Sequence, residues 1–225
     1  MGCVFFVSGI DTGIGKTVAV GMMCRALQHE GRDWISVKMV QTGCDGFSED
    51  LDVHRTMAGV GRLPEDEERL AVPQIFKFPS SPILAAELEG RTVNLERIAD
   101  SVKECARRHE IVLVEGAGGL CVPLTEDILT ADFVAQQGWP LILVASGKLG
   151  AINHIILSLE AVKARGIPLA GIVMNGFPKS DQRLFDDALK AVDRALKKMK
   201  MECPVVILPE VSSGDLPDFS GVLGA

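Results

Sequence analysis

The chain has 225 residues, of which 47% are hydrophobic and 24% are charged. A sequence this apolar is not intrinsically disordered, and its length fits one domain over residues 1–225. Its 23 Lys and Arg residues are outnumbered by 30 Asp and Glu residues, which gives a formal net charge of −7. This excess of acid argues against partners such as nucleic acid or an anionic membrane, since both require a basic patch.

Neither the N-terminal residues nor the cysteines indicate export. Residues 1–6 contain no basic segment, and the apolar run there is too short for a secretory signal. No apolar run is long enough to cross a bilayer. The six cysteines are scattered and include no Cys-x-x-Cys pair. We therefore expect free thiols and a cytoplasmic protein.

Apolar segments with strand character alternate along the chain with segments of helical periodicity. The predicted strands are residues 4–8, 35–40, 111–115, 141–146, 170–175 and 204–208. The predicted helices are residues 16–29, 95–108, 128–137, 152–165 and 181–200. This alternation is typical of an α/β fold, in which a parallel sheet has helices on both faces. Residues 43–74 are less regular and rich in acids and glycine, so we expect a surface excursion between two early strands.

A phosphate-binding loop joins the first predicted strand to the first predicted helix. Residues 9–17 read Gly-Ile-Asp-Thr-Gly-Ile-Gly-Lys-Thr. The glycines let backbone amides approach phosphate oxygens, Lys16 can reach the β and γ phosphates, and Thr17 offers a hydroxyl to Mg²⁺. The spacer between the first glycine and Gly-Lys-Thr has five residues, one more than the usual motif. The loop predicts a nucleotide-binding protein of the P-loop type.

Charged residues also mark the ends of the second and third predicted strands. Lys38 lies in an otherwise apolar strand, shortly before Thr42, where a lysine is costly unless it meets an anion. It could bind a phosphate or carboxylate, or it could snorkel from an edge strand. Glu115 could hold Mg²⁺ opposite Thr17. The small residues 116–119 that follow could bring amides close to a ligand, or could simply permit a tight turn.

Two later strand ends carry weaker signals. Residues 147–154 form a turn that opens into a helix, and the free amides at a helix start suit an anion. We interpret His154 in this helix as structural, because isolated histidines are commonly just hydrogen-bonded. Asn175 could contact a nucleotide base, and it could equally form an Asn-Gly turn.

Together these segments resemble the dethiobiotin synthetase family over nearly the whole chain. The resemblance is carried by residues 9–17, 38–43, 81–82, 89–91, 114–119, 148–154 and Asn175. It implies a single-domain α/β fold of the P-loop NTPase type. It also implies a ligase of biotin biosynthesis that carboxylates 7,8-diaminopelargonate with CO₂. An ATP-phosphorylated carbamate would then close the ureido ring, giving dethiobiotin, ADP and phosphate.

The resemblance also implies roles for individual residues around the nucleotide. Lys16 and Lys38 would clamp the γ-phosphate and the carbamate, while Thr12 and Thr42 would hydrogen-bond the reacting groups. Asn175 would contact the base. The other nucleotide-binding positions would be Gly13, Ile14, Gly15, Thr17, Val18, Glu115 and Gly118.

A magnesium ion is implied as the metal. It would rest on Thr17, Glu115 and one acid from the irregular segment. We select Asp52 rather than Asp50 for this third position, because Asp52 starts the apolar-periodic stretch where the family's acid falls.

The substrate contacts would come from both subunits of a homodimer. The amides of Gly118 and Gly119 would face the carbamate, and Ser81 would lie near the diamine. The distant carboxylate of the substrate would bind a helix start on the other subunit. The residues that match this helix start are Gly150, Ala151 and Asn153.

Some positions depart from the family pattern. Gly13 stands where Glu is common, Met39 stands where Pro is usual, and residues 203–210 lack a glycine usually found there.

The main alternative function is that of a switch ATPase of the partitioning or metal-insertion kind. Such a protein usually has an extra lysine near the start of the phosphate loop, where this chain has Ile10 and Asp11. A glutamine-dependent amidase would need a Cys and His pair, and none presents itself.

Overall fold

The computed structural model describes residues 1–176, 181–211 and 214–224. The strands in these residues are β1 Cys3–Gly9, β2 Trp34–Lys38, β3 Gln41–Thr42, β4 Ile75–Phe76, β5 Ile111–Gly119, β6 Leu141–Ser146, β7 Leu169–Asn175 and β8 Val205–Leu208. The helices are α1 Lys16–His29, α2 Glu49–Ala58, α3 Pro64–Glu67, α4 Pro82–Leu88, α5 Leu95–Arg108, α6 Thr130–Gln137, α7 Ala151–Ala164, α8 Gln182–Met199 and α9 Ser220–Leu223.

Six strands form one parallel sheet, and β3 and β4 form a separate parallel pair. The order in the large sheet is β2-β5-β1-β6-β7-β8. Every residue of β2 and β6 is buried, because helices cover both faces of the sheet. The predicted α/β fold class is confirmed.

The functional edge of this sheet lies where the direction of winding reverses. The chain leaves β1 through α1 toward β2 at one edge, and later passes from β5 to β6 across β1. Ligands of open α/β sheets bind at the carboxyl ends of the strands at such a point. The loop after β1 and the end of β5 therefore occupy the expected position of a ligand site.

The strand register brings two charged residues together. β5 lies between β1 and β2, and Lys38 of β2 pairs in register with Glu115 of β5. The pairing of β1 with β5 then shifts, so that Val7 aligns with Glu115 but Gly9 aligns with Gly119. This irregularity adds two residues to β5 after Glu115, and Ala117 and Gly118 in this part of the strand line the same cavity as the phosphate loop.

Most of the predicted elements agree with the structure. The bounds of α1, α5 and β6 match the predictions at both ends, whereas β2 ends two residues early and β5 continues for four more residues. No helix among the residues described above combines the length and apolar character needed to span a membrane.

The prediction of a surface excursion for residues 43–74 was wrong for α2, which is part of the packed structure. Ser48 caps this helix, since its Oγ accepts a hydrogen bond from the backbone amide of Leu51 at 3.2 Å. The helix packs against α1 and β2 and buries Leu51, His54, Arg55 and Ala58. It thereby places polar side chains beside the carboxyl ends of β2 and β5.

Candidate active site

The phosphate loop is held in shape by glycines and by a contact from β7. Gly13 and Gly15 have φ angles of 69° and 90°, in the left-handed region that favours glycine. A Cβ atom at Gly15 would overlap the amide nitrogen of Asn175. That same nitrogen donates a hydrogen bond to the carbonyl oxygen of Ile14 at 2.9 Å. Asn175 thus lies directly against the loop that would bind the phosphates.

Lys16 is buried, and no carboxylate of residues 1–176, 181–211 or 214–224 is in contact with it. Its Nζ donates to the carbonyl oxygen of Asp11 at 3.0 Å, within the same loop. Burial lowers the pKa of Lys16 to about 8, and the nearby charge of Lys38 adds to this effect. A nucleotide phosphate would provide a negatively charged partner for this ammonium.

A second cluster joins Lys38, Thr17, Asp50 and Glu115. The Nζ of Lys38 lies 2.5 Å from Asp50 Oδ2, 2.8 Å from Glu115 Oε1 and 3.1 Å from the carbonyl oxygen of Gly116. The hydroxyl of Thr17 lies 3.2 Å from Asp50 Oδ1 and 3.0 Å from Glu115 Oε1, so it can donate to either carboxylate. Side chains from α1, β2 and α2 thus meet beside the carboxylate of Glu115 on β5.

The charges in this cluster stabilise one another. Burial alone would raise the pKa of Glu115, but Lys38 and a hydrogen bond from His54 hold it well below its usual range. Burial likewise would lower the pKa of Lys38, but Glu115 and Asp50 raise it above its usual value. The carboxylate and the ammonium are therefore both charged at neutral pH.

An open cavity of 460 Å³ lies over these side chains, and most of the predicted site residues line it. The predicted residues that line it are Thr12, Gly13, Gly15, Lys16, Thr17, Val18, Lys38, Thr42, Glu115 and Gly118. Asp50 also lines it. We call this space the phosphate-loop cavity.

Other predicted residues lie outside the lining of the phosphate-loop cavity. Gly119 pairs with Gly9 beside the loop, and Ser81 lies at the N-cap of α4, after β4. Ile14 is buried, and Asn175 contacts it. The set Gly150, Ala151 and Asn153 forms the start of α7.

The start of α7 is nevertheless tied to the phosphate loop. The Nζ of Lys148 donates to Asp11 Oδ2 at 2.8 Å, and this contact lowers the pKa of Asp11. His154 lies 3.8 Å from the same oxygen. The helix start that was predicted to bind a carboxylate therefore lies beside the nucleotide loop of the same chain.

The choice of Asp52 as a metal ligand does not agree with its position. Its side chain is 48% exposed and lies 3.8 Å from Arg62, on the surface of α2. Residues two apart on a helix point about 200° apart, so only one of the two aspartates can face Glu115. Asp50 is the one that does.

Sequence reasoning also missed His54. Its imidazole is fully buried, with Nε2 2.8 Å from Glu115 Oε2 and Nδ1 3.0 Å from Ser36 Oγ. Asp50 and His54 are four residues apart, and such residues share one face of a helix. That spacing was the available signal, but only once α2 is known to begin after Ser48.

Solved structures share the fold at low sequence identity. A ParA family ATPase from Chlorobium tepidum TLS superposes with a TM-score of 0.54 and 14% identity, covering 100% of this chain and 90% of that one. The signal recognition particle receptor FtsY from Elizabethkingia anophelis, in complex with GDP, gives a TM-score of 0.56 and 16% identity. That comparison covers 99% of this chain, which spans 61% of the FtsY chain. At these identities the likeness shows a P-loop NTPase-like fold alone.

Sequence comparisons identify the family. Residues 4–213 match a family described as "AAA domain". The ATP-dependent dethiobiotin synthetase BioD 2 of Pasteurella multocida (strain Pm70) is 41% identical over 88% of this chain and 93% of its own length. The corresponding protein of Chlorobaculum tepidum is 43% identical over 92% and 87%, and BioD 2 of Haemophilus influenzae is 45% identical over 80% and 95%. The chain therefore belongs to the dethiobiotin synthetase family.

Proposed function

We propose that the protein is an ATP-dependent dethiobiotin synthetase, a ligase that makes dethiobiotin from 7,8-diaminopelargonate, CO₂ and ATP. The observation that carries the proposal is the convergence of Lys16 and Lys38 on one cavity at the phosphate loop. Relatives that are 41–45% identical over most of the chain bear the same name.

The reaction requires concentrated positive charge. One amine of the diamine adds to CO₂ and loses a proton, which gives a carbamate anion. A carbamate oxygen then attacks the γ-phosphorus of ATP as ADP leaves. The second amine then attacks the carbonyl carbon, phosphate leaves, and the ureido ring closes with loss of a proton. Since the first transfer joins two anions, positioning and electrostatic stabilisation contribute most to catalysis.

The lining of the phosphate-loop cavity suits these needs. Lys16, whose Nζ contacts the carbonyl oxygen of Asp11, would bind the γ-phosphate, and Lys38 would face the carbamate. Thr12 and Thr42 both line the cavity and would hydrogen-bond the reacting groups. The amides of Gly118 and Gly119 at the irregular end of β5 would approach the carbamate, with Ser81 near the diamine.

The oxygen donors beside Lys38 fit a magnesium ion. The hydroxyl of Thr17 lies 3.2 Å from a carboxylate oxygen of Asp50 and 3.0 Å from one of Glu115, and Mg²⁺ prefers hard oxygen ligands of this kind. The ammonium of Lys38 already contacts both carboxylates, so the position accommodates a positive charge. Bound Mg²⁺ would offset the charge of the ATP phosphates. Asp50, and not Asp52, would be the third protein ligand of Mg²⁺ beside Thr17 and Glu115.

We also propose a homodimer whose substrate site is completed across the interface. The start of α7, with Gly150, Ala151 and Asn153, would bind the distant carboxylate of the partner's substrate. One observation supports this arrangement: Leu149, next to the helix start, is 84% exposed. Light scattering would give the mass. Mixing an inactive Lys16→Ala variant with an inactive Asn153→Asp variant should restore activity if the two chains share a site.

The direct test is mass-spectrometric detection of dethiobiotin from 7,8-diaminopelargonate, bicarbonate, MgATP and purified protein. Phosphate release is followed with and without the diamine, and CTP or GTP replaces ATP in parallel reactions. We expect product together with diamine-dependent phosphate. Phosphate release at the same rate with and without the diamine, and with no dethiobiotin formed, would instead indicate a switch ATPase.

A further inference from the structure

A buried chain of polar side chains connects α3 to the candidate metal ligand Glu115. Asp66 accepts hydrogen bonds from Arg55 at 2.7 and 2.9 Å, and Arg55 Nη1 donates to Ser36 Oγ at 2.7 Å. Ser36 Oγ lies 3.0 Å from His54 Nδ1, and His54 Nε2 lies 2.8 Å from Glu115 Oε2. Ser36 and His54 have no exposed surface, and 3% of Arg55 is exposed.

The chemistry of the groups fixes the direction of these hydrogen bonds. A guanidinium can only donate, so Ser36 Oγ accepts from Arg55, and in the neutral imidazole Ser36 donates its own proton to His54 Nδ1. An ionised carboxylate can only accept, so the proton on His54 must be on Nε2. Donation therefore runs from Arg55 through Ser36 and His54 to Glu115, and each ring nitrogen of His54 has a partner.

The two oxygens of Glu115 consequently face different partners. Oε2 is bound by His54, while Oε1 faces Thr17 and Lys38. Without the bond to Oε2, the carboxylate could rotate about its last torsion, because such terminal torsions have broad minima. The bond from His54 removes that freedom.

We propose that His54 is a positioning residue that orients Glu115 so that Oε1 points toward Thr17 and Asp50. This inference rests on the proposed function only in that these three residues would hold Mg²⁺. Asp50 and His54 are four residues apart on α2, so one helix face supplies both a candidate ligand and the support for its neighbour. Hydrogen bonds of this kind to a ligand commonly change metal affinity by about 10- to 100-fold.

The test must separate orientation from packing, because any change at a fully buried imidazole affects stability. His54→Gln can place an amide nitrogen near the position of Nε2 and still donate to Glu115. His54→Asn has a shorter side chain, which can reach Ser36 but not Glu115. The two variants are both polar amides, so they differ chiefly in this one hydrogen bond.

The measurement is binding of a fluorescent ATP analogue, titrated in EDTA and then with increasing Mg²⁺, alongside the melting temperature of each variant. We expect His54→Asn to raise the Mg²⁺ concentration for half-maximal enhancement of binding by about 10-fold or more, while the Kd in EDTA stays within about twofold. His54→Gln should recover most of the loss.

Two results would overturn the role of His54. One is an unchanged Mg²⁺ requirement in His54→Asn. The other is an equal loss in both variants that follows the melting temperature. Failure of the wild-type protein to form dethiobiotin would overturn the proposed function alone, because the titration requires no diamine and still decides the role of His54.

Discussion

Replacing Lys16 with methionine should stabilise the ligand-free protein while it abolishes nucleotide binding. The pKa of Lys16 falls from 10.5 to about 8 because the ammonium is buried, a shift equivalent to about 3 kcal/mol at 1.36 kcal/mol per unit. Methionine retains the apolar stem but loses the hydrogen bond to the Asp11 carbonyl, which contributes about 1 kcal/mol. The expected net gain is about 2 kcal/mol at pH 7.

The gain should shrink as the pH rises. Below pH 8, Lys16 carries its proton in both the folded and the unfolded state, so the whole cost of burying the charge remains. Between about pH 8 and 10.5 the unfolded state binds more protons, so the free energy of unfolding of the wild type rises with pH. At pH 9.5 the advantage of Lys16→Met should be less than about 1 kcal/mol.

Urea denaturation at pH 7 and pH 9.5 measures both quantities. The matched control is Lys190→Met, at an exposed lysine on α8, which should change stability by less than about 0.5 kcal/mol at either pH. A Lys16→Met variant that is no more stable than the wild type at pH 7 would refute the reasoning. So would a stability difference that does not vary with pH.

Three further experiments test the rest of the site. Asp50→Asn should raise the Mg²⁺ concentration for half-maximal dethiobiotin formation by about 10-fold or more, whereas Asp52→Asn should leave it nearly unchanged. A larger effect of Asp52→Asn than of Asp50→Asn would restore Asp52 as the predicted metal ligand. Lys38→Ala should abolish ring closure but keep most nucleotide binding in a fluorescence titration. It should lower the free energy of unfolding in urea by about 3–5 kcal/mol, because it removes the ammonium partner of the buried Glu115 carboxylate. Normal turnover would remove this lysine from the site. Gly15→Ala should abolish nucleotide binding, while Gly90→Ala, which also has a positive φ but open space around it, should only lower stability; retained binding in the former would contradict the loop geometry.

Much of this fold could be predicted from the sequence, because its signals are local. The bounds of α1 followed from the Gly-Lys-Thr that starts it and the glycine at position 31 that follows it. The parallel sheet followed from the alternation of apolar strand segments with segments of helical periodicity. The extension of β5 beyond Glu115 could not be predicted, because it depends on the shifted register against β1.

The acids of residues 43–74 show the limit of local signals. The sequence offers Asp50 and Asp52 as equally acidic positions, and which one faces Glu115 depends on the rotation of α2 about its axis. Ser48 sets where the helix begins, and the burial of Leu51 against the rest of the fold sets its rotation. The same rotation directs His54 to Glu115. A shift of two residues in the choice of ligand therefore moved the predicted site to the opposite side of the helix.

The two lysines of the phosphate-loop cavity differ in how their charges are compensated. Lys16 contacts a carbonyl oxygen and has a lowered pKa, so an incoming phosphate would gain a full electrostatic partner and would raise that pKa. Lys38 contacts two carboxylates and has a raised pKa, so its positive charge is already balanced by their negative charges. Lys38 can face a substrate anion only if another positive charge takes its place beside Asp50 and Glu115. The arrangement thus links the availability of Lys38 to the charge state of the carboxylates that would hold the metal.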